Sequence, residues 1–347
     1  MTRLGLLAAV LSLCLLNAPA RGDDDAETEA APAEEPPPEA SDPHARNREW
    51  LLRAPFAIPR ADYFYAALEV PPLESARTLA GGTFLVRLRS AHARSRWRWP
   101  HHPPGPLPSA FLGLYHEWGS LELRWGALDR LELGARAVVA GWDEHEDHFD
   151  LFDEQGRPLV FGEERSISQM RATSRHENLS VFGAHVAGLL LDARDVGWDL
   201  SASFSLKVPV GRERDLTHAG TTDLALTLRA SLPLAWGALH ANLGGVVPLG
   251  RQDLFERRAR VRLDPFLVWG AGATFTLTDA LSLGLQLEGN TSAFQEAGVL
   301  REVPVRAAGG VRFFPCDQVI LELGAGIGLY WRSSAQWTLS FSLILEL

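Results

Sequence analysis

The sequence predicts an all-β fold, an antiparallel transmembrane up-and-down β-barrel of about twelve strands. Three observations carry this. Apolar residues recur at every second position through segments of about ten residues, the period of a strand and the length of a tilted membrane-spanning one. The links between these segments alternate between short and long. The N-terminus reads as a secretory leader.

The alternation is clearest in residues 337–347. Trp337, Leu339, Phe341, Leu343, Leu345 and Leu347 fall on one face, and Thr338, Ser340, Ser342, Ile344 and Glu346 on the other. Because the chain stops there, this strand is expected to pair with the first one and close the barrel. The first strand is expected over 83–93, with Phe84, Val86 and Leu88 opposite Arg87 and Arg89. A second, over 120–126, sets Leu121, Leu123 and Trp125 against Glu122 and Arg124. A third, over 131–141, sets Leu133, Ala135, Ala137 and Val139 against Glu132 and Arg136. Others follow at 181–191, 198–210, 224–234, 239–249, 267–276, 281–290, 306–314 and 319–330.

Tight links at 127–130, 192–197, 235–237, 278–280 and 315–318 alternate with longer ones at 94–118, 142–180, 211–222, 250–262 and 291–304. Short periplasmic turns and long outer loops have this pattern. The link at 331–335 departs from it by being short. A soluble β-sandwich also alternates, but its strands average about five to six residues.

Composition agrees with this reading. The chain is 46% hydrophobic with a mean hydropathy near zero. It has no apolar run long enough for a spanning helix. Its net charge of -10 gives no support to nucleic-acid binding.

Residues 1–20 have the parts of a signal peptide: Arg3, an apolar core over 4–16, and Ala18-Pro19-Ala20 as the cleavage site. Cys14 raises a lipoprotein alternative, but Leu13 stands where a small residue is normal. After cleavage Cys316 is the sole cysteine, so no intrachain disulfide forms. Residues 21–48, rich in Asp, Glu, Ala and Pro, read as a disordered acidic tether. Residues 49–82, with Pro55, Pro59 and Tyr63-Phe64-Tyr65, precede the barrel at 83–347 and would plug the lumen, lie on its rim or add a strand.

Three stretches carry a family resemblance. They are Pro71-Pro72-Leu73-Glu74-Ser75-Ala76-Arg77 with Gly81-Gly82; Gly141-Trp142-Asp143 with His148-Phe149 and Arg157; and Lys207-Val208-Pro209-Val210-Gly211. In these the chain resembles a family of uncharacterised Gram-negative outer-membrane proteins, a domain of unknown function, in which Thr is expected where Val210 stands. The resemblance implies a barrel and a membrane location, and no activity.

Three groups of residues are candidates for function. Asp143, His145, Asp147 and His148 have the oxygen and imidazole donors of a divalent-cation site, without the glycine and Asp spacing of an EF-hand loop. The plainer reading is a solvated acidic loop. Arg94, Arg96, Trp97, Arg98 and Trp99, expected in the first outer loop, suit lipopolysaccharide phosphates or anionic solutes. The third group faces the lumen: Arg87, Arg89, Arg124, Arg136, Lys207, Arg229 and Arg312 against Glu122, Glu132, Asp199, Glu288, Glu322 and Glu346. Near-balanced signs predict much internal salt bridging.

No His-x-Ser pair occurs in the expected strands; His240 is followed at that spacing by Asn242. The chain is therefore read as a narrow channel or binder for small solutes with no covalent chemistry and no cofactor beyond that cation. The alternatives are a structural or assembly protein touching lipopolysaccharide and a periplasmic partner, and a lipid-modifying enzyme. Its expected location is the outer membrane, reached through the barrel-assembly machinery by way of the 337–347 strand.

Overall fold

The computed structural model describes residues 42–59, 71–98, 111–144, 176–210, 221–250, 252–254, 259–261, 263–293, 303–329 and 336–347. Twelve strands close into one antiparallel barrel, each beside its neighbour in the chain. They are β1 (Phe84–Arg98), β2 (Phe111–Leu128), β3 (Leu131–Glu144), β4 (His176–Leu191), β5 (Asp199–Pro209), β6 (Thr222–Leu234) and β7 (Gly237–Leu249). After a small separate hairpin of β8 (Gln252–Leu254) and β9 (Ala259–Val261) come β10 (Phe266–Thr278), β11 (Leu281–Asn290), β12 (Val305–Cys316), β13 (Val319–Gly328) and β14 (Trp337–Glu346).

The seam lies where the alternation of the last strand places it. β14 pairs with β1 from Leu85 opposite Glu346 to Arg94 opposite Trp337. Beyond these, Phe84 and Leu347 exchange two backbone hydrogen bonds of 3.0 and 2.9 Å. Closure leaves no unpaired edge, which a sheet in lipid requires.

Period-two patterning then sorts the side chains. Leu226, Leu243, Leu285 and Leu323 on the outer wall are 59–65% exposed, while Arg87, Lys207, Arg229 and Arg312 on the inner wall are buried. An outer surface this apolar fits hydrocarbon. At the end carrying the tight turns, Phe84 stacks on Trp125 (5.8 Å) and Trp236 on Phe275 (5.0 Å). Aromatic rings at this level form the girdle of a membrane interface.

The first four strands run several residues further than their apolar pattern predicts, β2 starting at Phe111. β1 continues to Arg98 opposite Phe111, and β3 to Glu144 opposite Leu114. Arg94, Arg96, Trp97 and Arg98 therefore lie in a strand and not in the first outer loop, and Gly141-Trp142-Asp143 ends a strand instead of opening a loop. The reason is that backbone ladders continue wherever two chains stay paired, whatever the polarity of the side chains. β4 starts early too, at His176, and accommodates an extra residue: Val138 and Val139 pair with Val181 and Leu179, leaving Ser180 out of register as a bulge.

The largest departure is at the N-terminus. Residues 43–48, expected within the disordered tether, begin a helix, α1 (Pro43–Arg53). Asp42 caps it, its side chain accepting from His44 N at 3.0 Å, and proline occupies the first turn. Helices this short are marginal in water; this one is held from outside. Trp50, Leu51 and Leu52 pack against Leu79 and against Leu85, Phe314, Ile320 and Ile344 of the barrel's inner wall. After α1 the chain continues irregularly through 54–59, and 71–83 leads into β1.

Candidate functional site: the filled lumen

The inner wall is built from cross-strand ion pairs set by register. Arg87 stands opposite Glu122, with Nη1 3.2 Å from the carboxylate. Lys207 faces Asp223, with Nζ 2.7 Å from Oδ2. Arg306 faces Glu288 and Arg312 faces Glu322, their Nε atoms donating at 2.7 and 2.8 Å. Arg124 Nε donates to Glu132 at 2.7 Å, and His185 lies 3.3 Å from the same carboxylate oxygen.

Arg229 is bound by Glu74. Asp199 accepts from Ala193 N at 2.7 Å, with Arg77 3.7 Å away. Arg136, half-buried, stands opposite Glu122 and Gly183, and half-buried Arg89 donates to Ser342 Oγ at 3.3 Å. The lumen candidates thus belong to one charged interior. What the sequence did not indicate is that these charges also hold another part of the chain.

An irregular segment inside a barrel cannot build its own ladder, so its backbone groups need partners from the wall. The charged pairs supply them. Arg312 donates to the carbonyls of Leu51, Ala54 (2.9 Å) and Pro55 (3.1 Å), while its guanidinium lies 4.6 Å from the centre of the Phe56 ring. Arg306 takes the carbonyls of Ile58 and Pro59, the latter at 2.6 Å. The carboxylates serve the N–H groups: Leu73 N donates to Glu288 at 2.7 Å and Leu79 N to Glu132 at 3.1 Å.

Neutral groups complete the attachment. Asn47, fully buried, donates to Thr83 Oγ1 (3.0 Å) and Glu346 Oε1 (2.7 Å) and accepts from Ala80 N (2.9 Å). A chain of bonds across β6 and β7 joins both parts of the segment. Ala76 N donates to Ser231 Oγ (3.0 Å), Ser231 Oγ lies 2.9 Å from His240 Nδ1, and His240 Nε2 lies 2.7 Å from Arg53 O.

Glycines on the inner wall make room for the segment's apolar side chains. A Cβ at Gly284 would sit 2.3 Å from the Phe56 ring, and one at Gly310 2.7 Å from it. One at Gly324 would meet Ile58 at 2.8 Å, and one at Gly272 would meet Leu73 at 2.8 Å. On the opposite wall, Gly126 lets the backbone of Ala80 approach: a Cβ there would lie 2.1 Å from the Ala80 carbonyl oxygen. A side chain at Gly126 would displace the segment's backbone, and one at the other four positions would force its apolar side chains to move.

At the tight-turn end a cavity of about 400 Å³ lies between α1 and the wall, lined by Trp50, Arg53, Arg77, Asp192, Ser231 and His240 among others. Asp192 caps the short helix α2 (Ala193–Val196) in the turn before β5. Arg194, bonded to Asp192 at 2.6 Å, holds its carboxyl well below the usual range, and Arg77 at 3.0 Å adds to the effect. Asp129, in the β2–β3 turn, is also lowered, first by the N–H of Gly81 and then by Arg46.

Asp143 is in β3, whereas His145, Asp147, His148 and Trp99 lie outside the described residues. Among the described residues no group of three or more His, Cys, Asp or Glu is placed to hold a metal ion.

A signal for the filled lumen was present in the sequence. Leu85, Ile320 and Ile344 interrupt the alternation as F-L-V, V-I-L and L-I-L, apolar where the inward face should be polar. These inward apolar residues are the ones on which α1 packs.

Fold and site together define a closed twelve-stranded barrel of the outer-membrane type with an internal N-terminal segment. No protein-family model matches the chain, and no curated protein sequence matches it. The likeness to known proteins is structural. An outer membrane channel from Pseudomonas putida F1 is similar over 78% of this chain and 98% of its own, at 14% identity and a TM-score of 0.57. The NanC porin (8% identity, 75% and 97% covered, TM-score 0.43) and the KdgM porin (7%, 75% and 98%, 0.41) are more distant. At this identity the first likeness establishes the fold.

Proposed function

We propose that this chain is an outer-membrane channel for small solutes whose lumen is stoppered from the periplasmic side by its own residues 42–59 and 71–83. One observation carries the reading: the lumen wall is charged and polar, yet many of its hydrogen bonds go to the backbone of a segment that enters from the tight-turn end. A wall built only for stability would be served better by apolar packing, since buried ion pairs contribute little net stability. A wall that must bind a segment and also tolerate water has reason to be charged. Solutes then pass through what space the segment leaves, or when it shifts.

In this reading the leader directs export, the apolar outer wall meets lipid and lipopolysaccharide, and the strand at 337–347 is presented to the barrel-assembly machinery. The test is single-channel conductance of residues 21–347 in a planar lipid bilayer, beside a variant lacking 43–80. Current in both, larger in the shortened one, is the expected outcome. Silence from both, with each barrel still resisting heat in detergent, would remove the channel reading and leave a structural outer-membrane protein.

A further inference from the structure

Among the described residues, each lumen arginine but one has a carboxylate opposite it in the register or bonded to it. Arg87 and Arg136 stand opposite Glu122, Arg124 binds Glu132, Arg229 binds Glu74, Arg306 faces Glu288 and Arg312 faces Glu322. Arg89 is the exception. The register sets it opposite Ser342 on β14 and Ser120 on β2.

Its Nε donates to Ser342 Oγ at 3.3 Å, but its Nη2 is enclosed without a hydrogen-bond partner. Two residues away on the same face, Arg87 Nε is enclosed and unpartnered too. Arg87 and Arg136 are close enough to repel Arg89, and the carboxylates acting on it, Glu122 and Glu322, are already bonded to Arg87 and Arg312.

An enclosed cationic N–H without an acceptor is costly, and native structures usually supply one. The planar guanidinium fork matches an oxyanion, above all a carboxylate, through two parallel bonds. We propose that Arg89, between Ser120 and Ser342 and beside Arg87, is the binding site for a small carboxylate anion inside the barrel. It rests on the channel reading only in giving the solute a charge; its occupancy is measured without current.

The test is calorimetric titration of sodium acetate into detergent-solubilised residues 21–347 at low chloride. The intact chain should bind acetate, and Arg89→Gln should weaken binding about tenfold or more, the worth of one charge-assisted hydrogen bond. Arg89→Lys, which keeps the charge but not the fork, should retain part of the affinity. Arg130→Gln, an exposed turn arginine, should leave binding unchanged.

Absence of binding by the intact chain, equal binding by Arg89→Gln, or an equal loss in Arg130→Gln would each overturn the site. If Arg89→Gln does not fold, Ser120→Ala replaces it: a several-fold loss supports the site and no loss overturns it. Acetate binding without bilayer current would sink the channel reading and leave this site standing.

Discussion

Arg312 offers the sharpest test of how the N-terminal segment is held. Replacing it alone with Met would leave Glu322 buried without its cation, at a cost of about 3–5 kcal/mol to the barrel, so the effect on the segment would be masked. The double variant Arg312→Met with Glu322→Gln removes both charges and isolates the bonds to Leu51, Ala54 and Pro55. A hydrogen bond from a charged donor contributes about 1.5–3 kcal/mol. Three of them sharing one guanidinium are not additive, so about 3 kcal/mol is a fair total for the attachment. That shifts the ratio of attached to detached segment about a hundredfold.

The segment should then become accessible to a protease added from the tight-turn side, and open events should become more frequent in single-channel records. Heat-modified gel migration should show the barrel still folded. If cleavage and current both match those of the unaltered chain, the claim that Arg312 holds the segment is wrong. If the barrel itself fails, Arg312 serves the wall more than the segment.

Other outcomes follow from the same geometry. Gly284→Val should force Phe56 out of its cradle and lower thermal stability by about 1–3 kcal/mol, with recovery on adding Phe56→Ala, since overpacking is relieved when the partner shrinks. Asn47→Ala should destabilise by about 2–4 kcal/mol, measured by unfolding in detergent, because Ala80 N and Glu346 lose a buried partner. The folded Asp192 carboxyl sits below its unfolded value of about 3.9, so its contribution is complete above that pH and is lost as pH falls through the lower, folded value. Protection factors of residues 71–80, corrected for the intrinsic pH dependence of amide exchange, should therefore be constant between pH 5 and 8 and fall only in stronger acid, and Asp192→Asn should lessen that fall.

How much of this was legible in the sequence depended on the range of the interaction. The barrel, its seam and its strand count rest on period-two patterning, a local property that survives in one sequence. Trp337, Leu339 and Phe341 alternating with Thr338, Ser340 and Ser342 fix which face is apolar without knowledge of the partner strand. The ends of β1 and β3 were not legible, because pairing carried them past the last apolar residue. Ion pairs such as Arg312 with Glu322 were legible as opposite charges on one face, but only the register showed which met which.

By itself, then, the sequence determined the class of fold, the inward and outward faces, and the charged character of the lumen. Only the tertiary structure decided that residues 43–48 are helix, that Phe56, Ile58 and Leu73 lie against glycines of β10 to β13, and that Arg89 has no carboxylate opposite it among the described residues. The physical reason is that these outcomes depend on residues far apart in the chain, such as Asn47 and Glu346, whose meeting is fixed by closure of the barrel and not by any local periodicity.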